Sequence, residues 1–188
     1  MTILEELHET GYVYNDLKSD NICVGVYNDQ TKLHRLNLID FGLCTPYQLQ
    51  NGKHVPLKKA GFRGNYPFSS KNAFLKQTLS RRDDLISLFY LLIYLATGKL
   101  PFISKYHPLE DQVGRIKRMK NKLTARNLCI LSSTEFLVDF AENIYNLEFE
   151  EKPNYSLLRF LLTKNLLDKD LFPNNDYDWI KKLQKGKF

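Results

Sequence analysis

Apolar positions in the second half of the chain recur at the spacing of α-helices. Over residues 81–97 they occur on every side of the expected helix, which is typical of a helix at the centre of a helical domain. Gly98 and Pro101 predict where this helix ends. Three more helices are expected over about residues 109–123, 133–146 and 155–165. The apolar face of the 133–146 helix consists of Phe136, Phe140, Ile144 and Leu147.

The first half of the chain alternates short apolar stretches with polar loops. Residues 1–10 predict a helix that ends at Gly11. Residues 12–39 predict a short β-hairpin with its turn at Asn28-Asp29-Gln30. Residues 45–64 are rich in Pro and Gly and keep no regular period, so they predict a long ordered loop, which in a compact domain is usually functional. The expected fold class is mainly α with a short β-hairpin.

The composition is that of an ordinary globular domain. Of the 188 residues, 43% are hydrophobic and 26% are charged, which argues against a disordered, collagen-like or coiled-coil chain. The formal net charge of +6 is small and lies mostly in residues 115–122 and a Lys-rich tail at 181–187, so nucleic acid is not an expected partner. Three Cys without Cys-x-x-Cys spacing and four scattered His predict neither a disulfide framework nor a zinc site.

The sequence has no segment typical of a secretory signal or a membrane span. The first ten residues are acidic and lack an apolar core. The longest apolar stretch, residues 85–96, is well short of the roughly 20 residues of a transmembrane helix. We expect a soluble protein of a reducing compartment with no membrane partner. A cytoplasmic location is expected, with a nuclear or cytoskeleton-associated one as the alternative.

Two short polar motifs lie on either side of the hairpin. Asp16, Lys18 and Asn21 have the spacing of a protein-kinase catalytic loop, here residues 14–21. Asp40-Phe41-Gly42 follows an apolar strand and resembles the magnesium-binding loop of the same enzymes. The alternative explanation is a polar turn followed by a strand end with no chemical role. The pairing of both motifs at this separation favours kinase ancestry, and leaves present activity open.

Phosphoryl transfer explains why these residue types are needed, since the protein mainly positions reactants and neutralises charge. Asp16 would accept the proton of the substrate hydroxyl, and Lys18 would act as a cationic donor near the transferred phosphoryl group. Asn21 and Asp40 carry the hard oxygen ligands that Mg²⁺ prefers, beside the ATP phosphates. Gly42 would permit the backbone turn that directs Asp40 inward.

The sequence after the second motif resembles the casein kinase I family of protein kinases. Ser70 and Asn72 match the Ser-x-Asn element that this family has in place of Ala-Pro-Glu. The Ser-Arg-Arg-Asp-Asp start of its central helix is intact at residues 80–84. Further similarities at residues 100–102, 149–159 and 178–179 extend the resemblance over nearly the whole chain.

The resemblance implies a kinase C-lobe over residues 1–188 and a Ser/Thr protein kinase that uses ATP and Mg²⁺. Residues 43–72 would be the activation-type loop and residues 80–188 the helical remainder. Asp84 would start the central helix and accept N–H bonds from the catalytic loop. A simple helix cap is the open alternative for Asp84.

The sequence also departs from the family in one large respect. Residues 1–188 contain no Gly-x-Gly-x-x-Gly loop and no Val-Ala-x-Lys strand, the parts that cover the ATP phosphates. We therefore expect the catalytic lobe without its ATP-binding lobe, inactive as this chain alone. The alternative hypothesis is a non-catalytic, kinase-derived interaction module. In either case a protein substrate or a protein partner covering the missing-lobe face, near Ile3, Leu7 and the hairpin, is the expected partner.

Smaller departures concern single positions. Tyr14-Asn15 replaces the family's His-Arg, and we expect Tyr14 to keep the packing of His without its hydrogen bonds. Asn65 and Pro67 stand where the family has Thr and Arg, and the lost Arg bears on recognition of acidic substrates. The basic run at residues 115–122 could compensate, although a solvated helix face is its commoner meaning. Cys44 is expected to be a small apolar residue rather than a nucleophile.

Overall fold

A computed structural model of the chain describes residues 1–25, 32–103, 109–168, 170–172, 174 and 177–184. The side chains of residues 109, 110, 183 and 184 are not described. The turn expected at Asn28-Asp29-Gln30 and the tail residues Lys185 and Lys187 lie outside the described residues.

The described residues form eight α-helices and four short strands, which confirms a mainly α fold with a short β-hairpin. In chain order the elements are α1 (Thr2–Glu9), β1 (Tyr12–Val13), β2 (Ile22–Val24), β3 (Leu36–Leu38), β4 (Thr45–Pro46), α2 (Lys71–Phe74), α3 (Arg81–Thr97), α4 (Leu109–Lys122), α5 (Ala125–Ser132), α6 (Val138–Tyr145), α7 (Tyr155–Leu167) and α8 (Asp178–Gln184). Within these ranges no helix is both long and apolar enough to cross a lipid bilayer.

The expected hairpin is the antiparallel pair β2–β3, in which Ile22 pairs with Leu38 and Val24 with Leu36. A second antiparallel pair, β1–β4, joins Val13 to Thr45. The sequence did not predict this pair, because strands of two residues are too short to show an alternating pattern. The pair places residues 45–46, at the start of the long loop, against residues 12–13, which come just before the catalytic motif.

Helix α3 is the centre of the hydrophobic core, as its apolar pattern predicts. The side chains of Leu85, Phe89 and Ile93 are fully buried. Ser80 and Asp83 form a capping box at its start, and Gly98 ends it in the left-handed conformation with φ 70°. Both predicted ends are therefore confirmed, because the signals that set them are local in the sequence.

The helix expected over residues 133–146 is present as α6 but begins only at Val138, and helix α5 before it was not expected. Helix α5 ends at Ser132, and the next residue, Ser133, adopts a left-handed φ of 55° that no right-handed helix can continue through. A short 3₁₀ turn at Glu135–Leu137 then leads into α6. As a result Phe136 is exposed rather than part of the apolar face, whereas Phe140 and Ile144 are buried as predicted.

Candidate catalytic site

The backbone that leads into the catalytic motif is held by the buried carboxylate of Asp84. One of its oxygens accepts a hydrogen bond from the Tyr14 N–H at 2.6 Å, and the other accepts from the Asn15 N–H at 2.8 Å. Ser80 and Asp83 provide the helix cap, so Asp84 is free for this second duty. Asp84 thus accepts the two backbone N–H bonds that the resemblance led us to expect of it.

His8 is a supporting residue that the sequence analysis missed. Its Nε2 lies 2.9 Å from Asp84 Oδ2 and its Nδ1 lies 2.6 Å from the Tyr155 hydroxyl. Burial raises the pKa of Tyr155, which keeps this hydroxyl a donor. The carboxylate oxygen of Asp84 can only accept, so His8 donates to it through Nε2. The sequence carries one indication that His8 is buried: it follows Leu4 by four residues and so lies on the same face of α1.

Three donors converge on the carboxylate of Asp16, which is 5% exposed. Lys18 Nζ lies 3.0 Å from Oδ2, and the Asn21 side-chain amide donates to the same oxygen at 3.1 Å. The Asn65 side-chain amide donates to Oδ1 at 2.9 Å. The structure therefore brings together Asp16, Lys18 and Asn21 as the motif predicts. It adds Asn65, which the sequence had marked only as a departure from the family.

Asn21 and Asp40 are the candidate metal ligands. The Asn21 amide nitrogen also donates to the Asp16 carbonyl oxygen at 3.0 Å, so its own carbonyl oxygen is directed away from Asp16. The Asn21 backbone carbonyl accepts from the Ile39 N–H at 3.0 Å, which joins the two motifs next to Asp40. Asp40 is exposed. One amide oxygen and one carboxylate fit Mg²⁺, which commonly takes few protein ligands and fills its octahedron with phosphates and water.

No larger acidic or His/Cys metal cluster occurs in the described part of the chain. The role expected of Gly42 needs a correction, since the left-handed backbone angle lies at Asp40, with φ 59°. The Gly42 N–H donates to Asp40 Oδ1 at 3.2 Å, and a Cβ on Gly42 would lie 3.2 Å from that same oxygen. Gly42 therefore acts by leaving room beside the Asp40 carboxylate and by donating to it.

Tyr14 and Asn15, which stand in place of the family's His-Arg, both form hydrogen bonds through their side chains. The buried Tyr14 hydroxyl donates to the Ile39 carbonyl, a hydrogen bond of its own that the sequence analysis did not anticipate. Burial raises its pKa to about 12, and the hydroxyl stays protonated. The Asn15 side-chain amide donates to the Leu43 carbonyl at 2.8 Å and to Thr45 at 2.9 Å. Both side chains thus tie the catalytic loop to the magnesium loop and the residues after it.

The far end of the activation-type loop is attached to the start of α3. Ser70 and Asn72 both donate to Asp83 Oδ1, at 2.6 and 2.8 Å. The Ser80 N–H donates to the other carboxylate oxygen at 2.8 Å. Burial raises the pKa of Asp83, and these three donors oppose that shift. The Ser-x-Asn element therefore has a defined function, because it anchors the loop to the central helix.

Two further expectations concern residues around the site. Lys120 belongs to the basic run at residues 115–122, yet it is 3% exposed and does not lie on a solvated face. Its neighbours Lys117 and Arg118 are exposed, as a solvated face requires. Cys44 is half-buried, and burial raises its pKa to about 11. Its thiol is protonated at neutral pH, which agrees with a residue that is not a nucleophile.

The sequence is similar to those of known protein kinases over most of its length. A family model described as "Protein kinase domain" matches residues 1–169. A probable serine/threonine-protein kinase of Dictyostelium discoideum is 34% identical over 94% of this chain and 34% of its own length. A probable casein kinase I homolog of Encephalitozoon cuniculi is 34% identical over 98% of this chain and 56% of its own length. Casein kinase I homolog 2 of Saccharomyces cerevisiae is 31% identical over 96% of this chain and 33% of its own length. The chain thus spans between a third and just over half the length of these curated relatives.

Proposed function

The chain belongs to the protein kinase family, and from that premise we propose that its site transfers the γ-phosphoryl group of ATP to Ser or Thr hydroxyls of protein substrates, as a casein kinase I-like enzyme. The observation that supports this most directly is the set of three donors on Asp16. They fix a carboxylate in one orientation, which is what a catalysis dominated by positioning requires.

Asp16 has the central role in the proposed reaction. The substrate hydroxyl donates its hydrogen bond to the carboxylate of Asp16, which holds its oxygen in line with the γ-phosphorus. As the new oxygen–phosphorus bond forms and the bond to the β-phosphate breaks, the hydroxyl proton passes to Asp16. The ammonium of Lys18, 3.0 Å from Asp16, donates to the transferred phosphoryl group and balances its charge.

Asn21 and Asp40 would hold Mg²⁺ through one amide oxygen and one carboxylate. The metal would neutralise negative charge on the ATP phosphates when bound. Asn21 has two duties in this arrangement, because its amide nitrogen orients Asp16 while its carbonyl oxygen is directed away from that residue. Asp40 is kept beside Asn21 by the backbone hydrogen bond from Ile39.

The parts that cover the nucleotide are proposed to come from polypeptide outside these 188 residues, either a further segment of the protein or a second chain. Four apolar side chains on and after the β2–β3 hairpin are 43–52% exposed and suit such a contact: Val24, Leu36, Ile39 and Phe41. We infer that the chain alone is inactive. The same exposed side chains support the alternative function, a non-catalytic module that binds another protein through this face.

A phosphorylation assay with Mg²⁺ and ATP separates the two functions. We expect transfer to a Ser-containing protein substrate when the nucleotide-binding lobe of a casein kinase I homologue is added, and none without it. The Asp16→Asn variant should lower the rate by about 10²- to 10⁴-fold, because it removes the proton acceptor. Asp168→Asn, which changes an exposed acid outside the site, should leave the rate unchanged. Absence of transfer in every arm, together with absence of nucleotide binding, would favour the non-catalytic module.

A further inference from the structure

Lys120 on α4 is a buried cation whose three N–H donors all have partners. Its Nζ donates to the carbonyl oxygens of Ser69 at 2.6 Å, Pro67 at 2.8 Å and Tyr66 at 3.1 Å. The side chain is 3% exposed. A lysine ammonium offers three N–H donors, so these carbonyls use its full capacity.

Aromatic rings surround the remaining side of this ammonium. Its Nζ lies 4.4 Å from the ring centre of Tyr90, 4.6 Å from that of Phe102 and 5.2 Å from that of Phe74. Such contacts are attractive through the negative face of each ring. In the described ranges no carboxylate is within ion-pair distance of Lys120. Burial lowers its pKa, and only the protonated amine has the three donors that the carbonyls take.

The carbonyls that Lys120 holds belong to the turn that carries Asn65. The Ser69 N–H donates to the Asn65 carbonyl at 3.0 Å, and the Phe68 N–H donates to the Asn65 side-chain oxygen at 2.8 Å. The other end of that side chain donates to Asp16 at 2.9 Å. The Phe68 N–H thus fixes the oxygen of the Asn65 side-chain amide, and Asp16 fixes its nitrogen.

We propose that Lys120 is a positioning residue for phosphoryl transfer, which fixes the turn of residues 65–69 so that Asn65 orients the carboxylate of Asp16. This inference rests on the proposed function for its catalytic consequence, whereas the coupling of Lys120 to Asn65 stands on geometry alone. It also removes Lys120 from the residues that could bind an acidic substrate in place of the family's Arg. Its ammonium faces the interior and has no free donor.

The first test needs no enzymatic activity. Nuclear magnetic resonance of the chain would follow the side-chain amide signals of Asn65 and the hydrogen exchange of the Phe68 and Ser69 amides. In Lys120→Met we expect the Asn65 signals to move toward those of a free amide and the two backbone amides to exchange about tenfold faster or more. In Lys117→Met, an exposed lysine of the same helix, neither should change. A folded Lys120→Met with unchanged Asn65 signals would overturn the proposal.

Lys120→Met could lose its fold, and Lys120→Gln is then the replacement, since it keeps two N–H donors. The same direction of change is expected from it, at smaller size. A folded Lys120→Gln with Asn65 signals like those of the natural chain would contradict the proposal. Failure of both variants to fold, while Lys117→Met folds, would also contradict it, because Lys120 would then serve folding rather than positioning.

The second test uses the assembly with an added nucleotide-binding lobe. Lys120→Met should lower kcat by about tenfold or more and leave the KM for ATP unchanged, because Asn65 and Asp16 contact the hydroxyl side of the reaction. Asn65→Ala should cause a similar loss, and the double variant should lose no more than either single one. Additive losses, or a loss in ATP affinity alone, would overturn the proposal. If the natural chain transfers no phosphoryl group, the proposed function fails while the resonance experiment still decides the coupling.

Discussion

Asp84 connects three parts of the molecule that are distant in the sequence. Its two oxygens accept from the Tyr14 and Asn15 backbone N–H groups and lie beside His8 Nε2. The carboxylate is 1% exposed, so each of these donors replaces a water molecule that the buried charge has lost. A buried carboxylate with several well-placed donors is stable, and removal of its charge leaves the donors without an adequate acceptor.

The Asp84→Asn variant should therefore lose about 3 kcal/mol of unfolding free energy, since an amide offers one acceptor oxygen where the carboxylate offers two. The measurement is urea denaturation followed by circular dichroism. Asp168→Asn is the matched control, because Asp168 is exposed and should change stability by less than about 0.5 kcal/mol. Equal stability of both variants would show that Asp84 does not hold the catalytic loop.

At the scale of residues, the sequence identified those members of the site that lie close together along the chain. The spacing of Asp16, Lys18 and Asn21 is set within one loop, and the structure does bring them together. His8 and Asn65 were missed because each contacts a residue far away in the chain. A distant hydrogen bond leaves no periodic or spacing signal, so only the folded chain reveals it.

At the scale of elements, the long loop after the magnesium motif is closely attached to the catalytic loop. Asn15 donates to Leu43 and Thr45 at its start, and Gly64 packs directly against the Asn15 carbonyl near its end. Gly64 has φ 99°, in the region that side chains with a Cβ rarely adopt. Position 64 therefore requires glycine for two independent reasons, the close approach of the Asn15 carbonyl and the left-handed backbone angle.

The Gly64→Ala variant should destabilise the chain by about 2 kcal/mol or more, because a Cβ would overlap the Asn15 carbonyl oxygen and the backbone angle would be strained. Thermal denaturation would measure the loss. Gly61→Ala provides the control in the same loop, since nothing lies within 4 Å of its added Cβ and its φ is not left-handed. That variant should be neutral or slightly stabilising. Similar melting temperatures for the two variants would contradict the close packing of Gly64.

The elements also show which boundaries a sequence can predict. Helix α3 begins and ends where expected, because a capping box and Gly98 are local signals. Helix α5 was missed, and the start of α6 was expected too early, since Ser133 takes a left-handed angle that serine rarely adopts and that nothing nearby in the sequence specifies. The pairing of β1 with β4 depends on a contact between distant two-residue strands. Such pairs form through tertiary packing rather than through strand propensity.

At the scale of the whole molecule, the core and the candidate site lie next to each other and share helix α3. Helix α3 contributes Leu85 and Phe89 to the core, and Asp83 and Asp84 at its start hold the loops of the site. The apolar side chains around Asp40 are instead largely exposed, among them Ile39 and Phe41. Apolar side chains exposed beside the candidate site are suited to contact a second polypeptide unit, as the proposed function requires.

The cross-strand pair Val24 and Leu36 offers the sharpest test of that arrangement. The two residues are paired in the β2–β3 hairpin and are 48% and 46% exposed. Changing both to Ser should weaken binding of an added nucleotide-binding lobe by roughly tenfold or more, because burying each apolar side chain contributes about 1 kcal/mol. Stability of the chain itself should change little, since neither side chain is in the core.

The matched control is the double change of Ile130 and Leu131 to Ser, which removes two apolar side chains of similar exposure, 56% and 55%, from α5. Isothermal titration calorimetry of each variant with the lobe gives the Kd. We expect the α5 variant to bind like the natural chain, because α5 packs against α3 and α6 and contributes no residue to the site. Equal loss in both variants would indicate a general effect of surface polarity on the chain. An unchanged Kd in the hairpin variant would place the contact for the lobe elsewhere on the molecule.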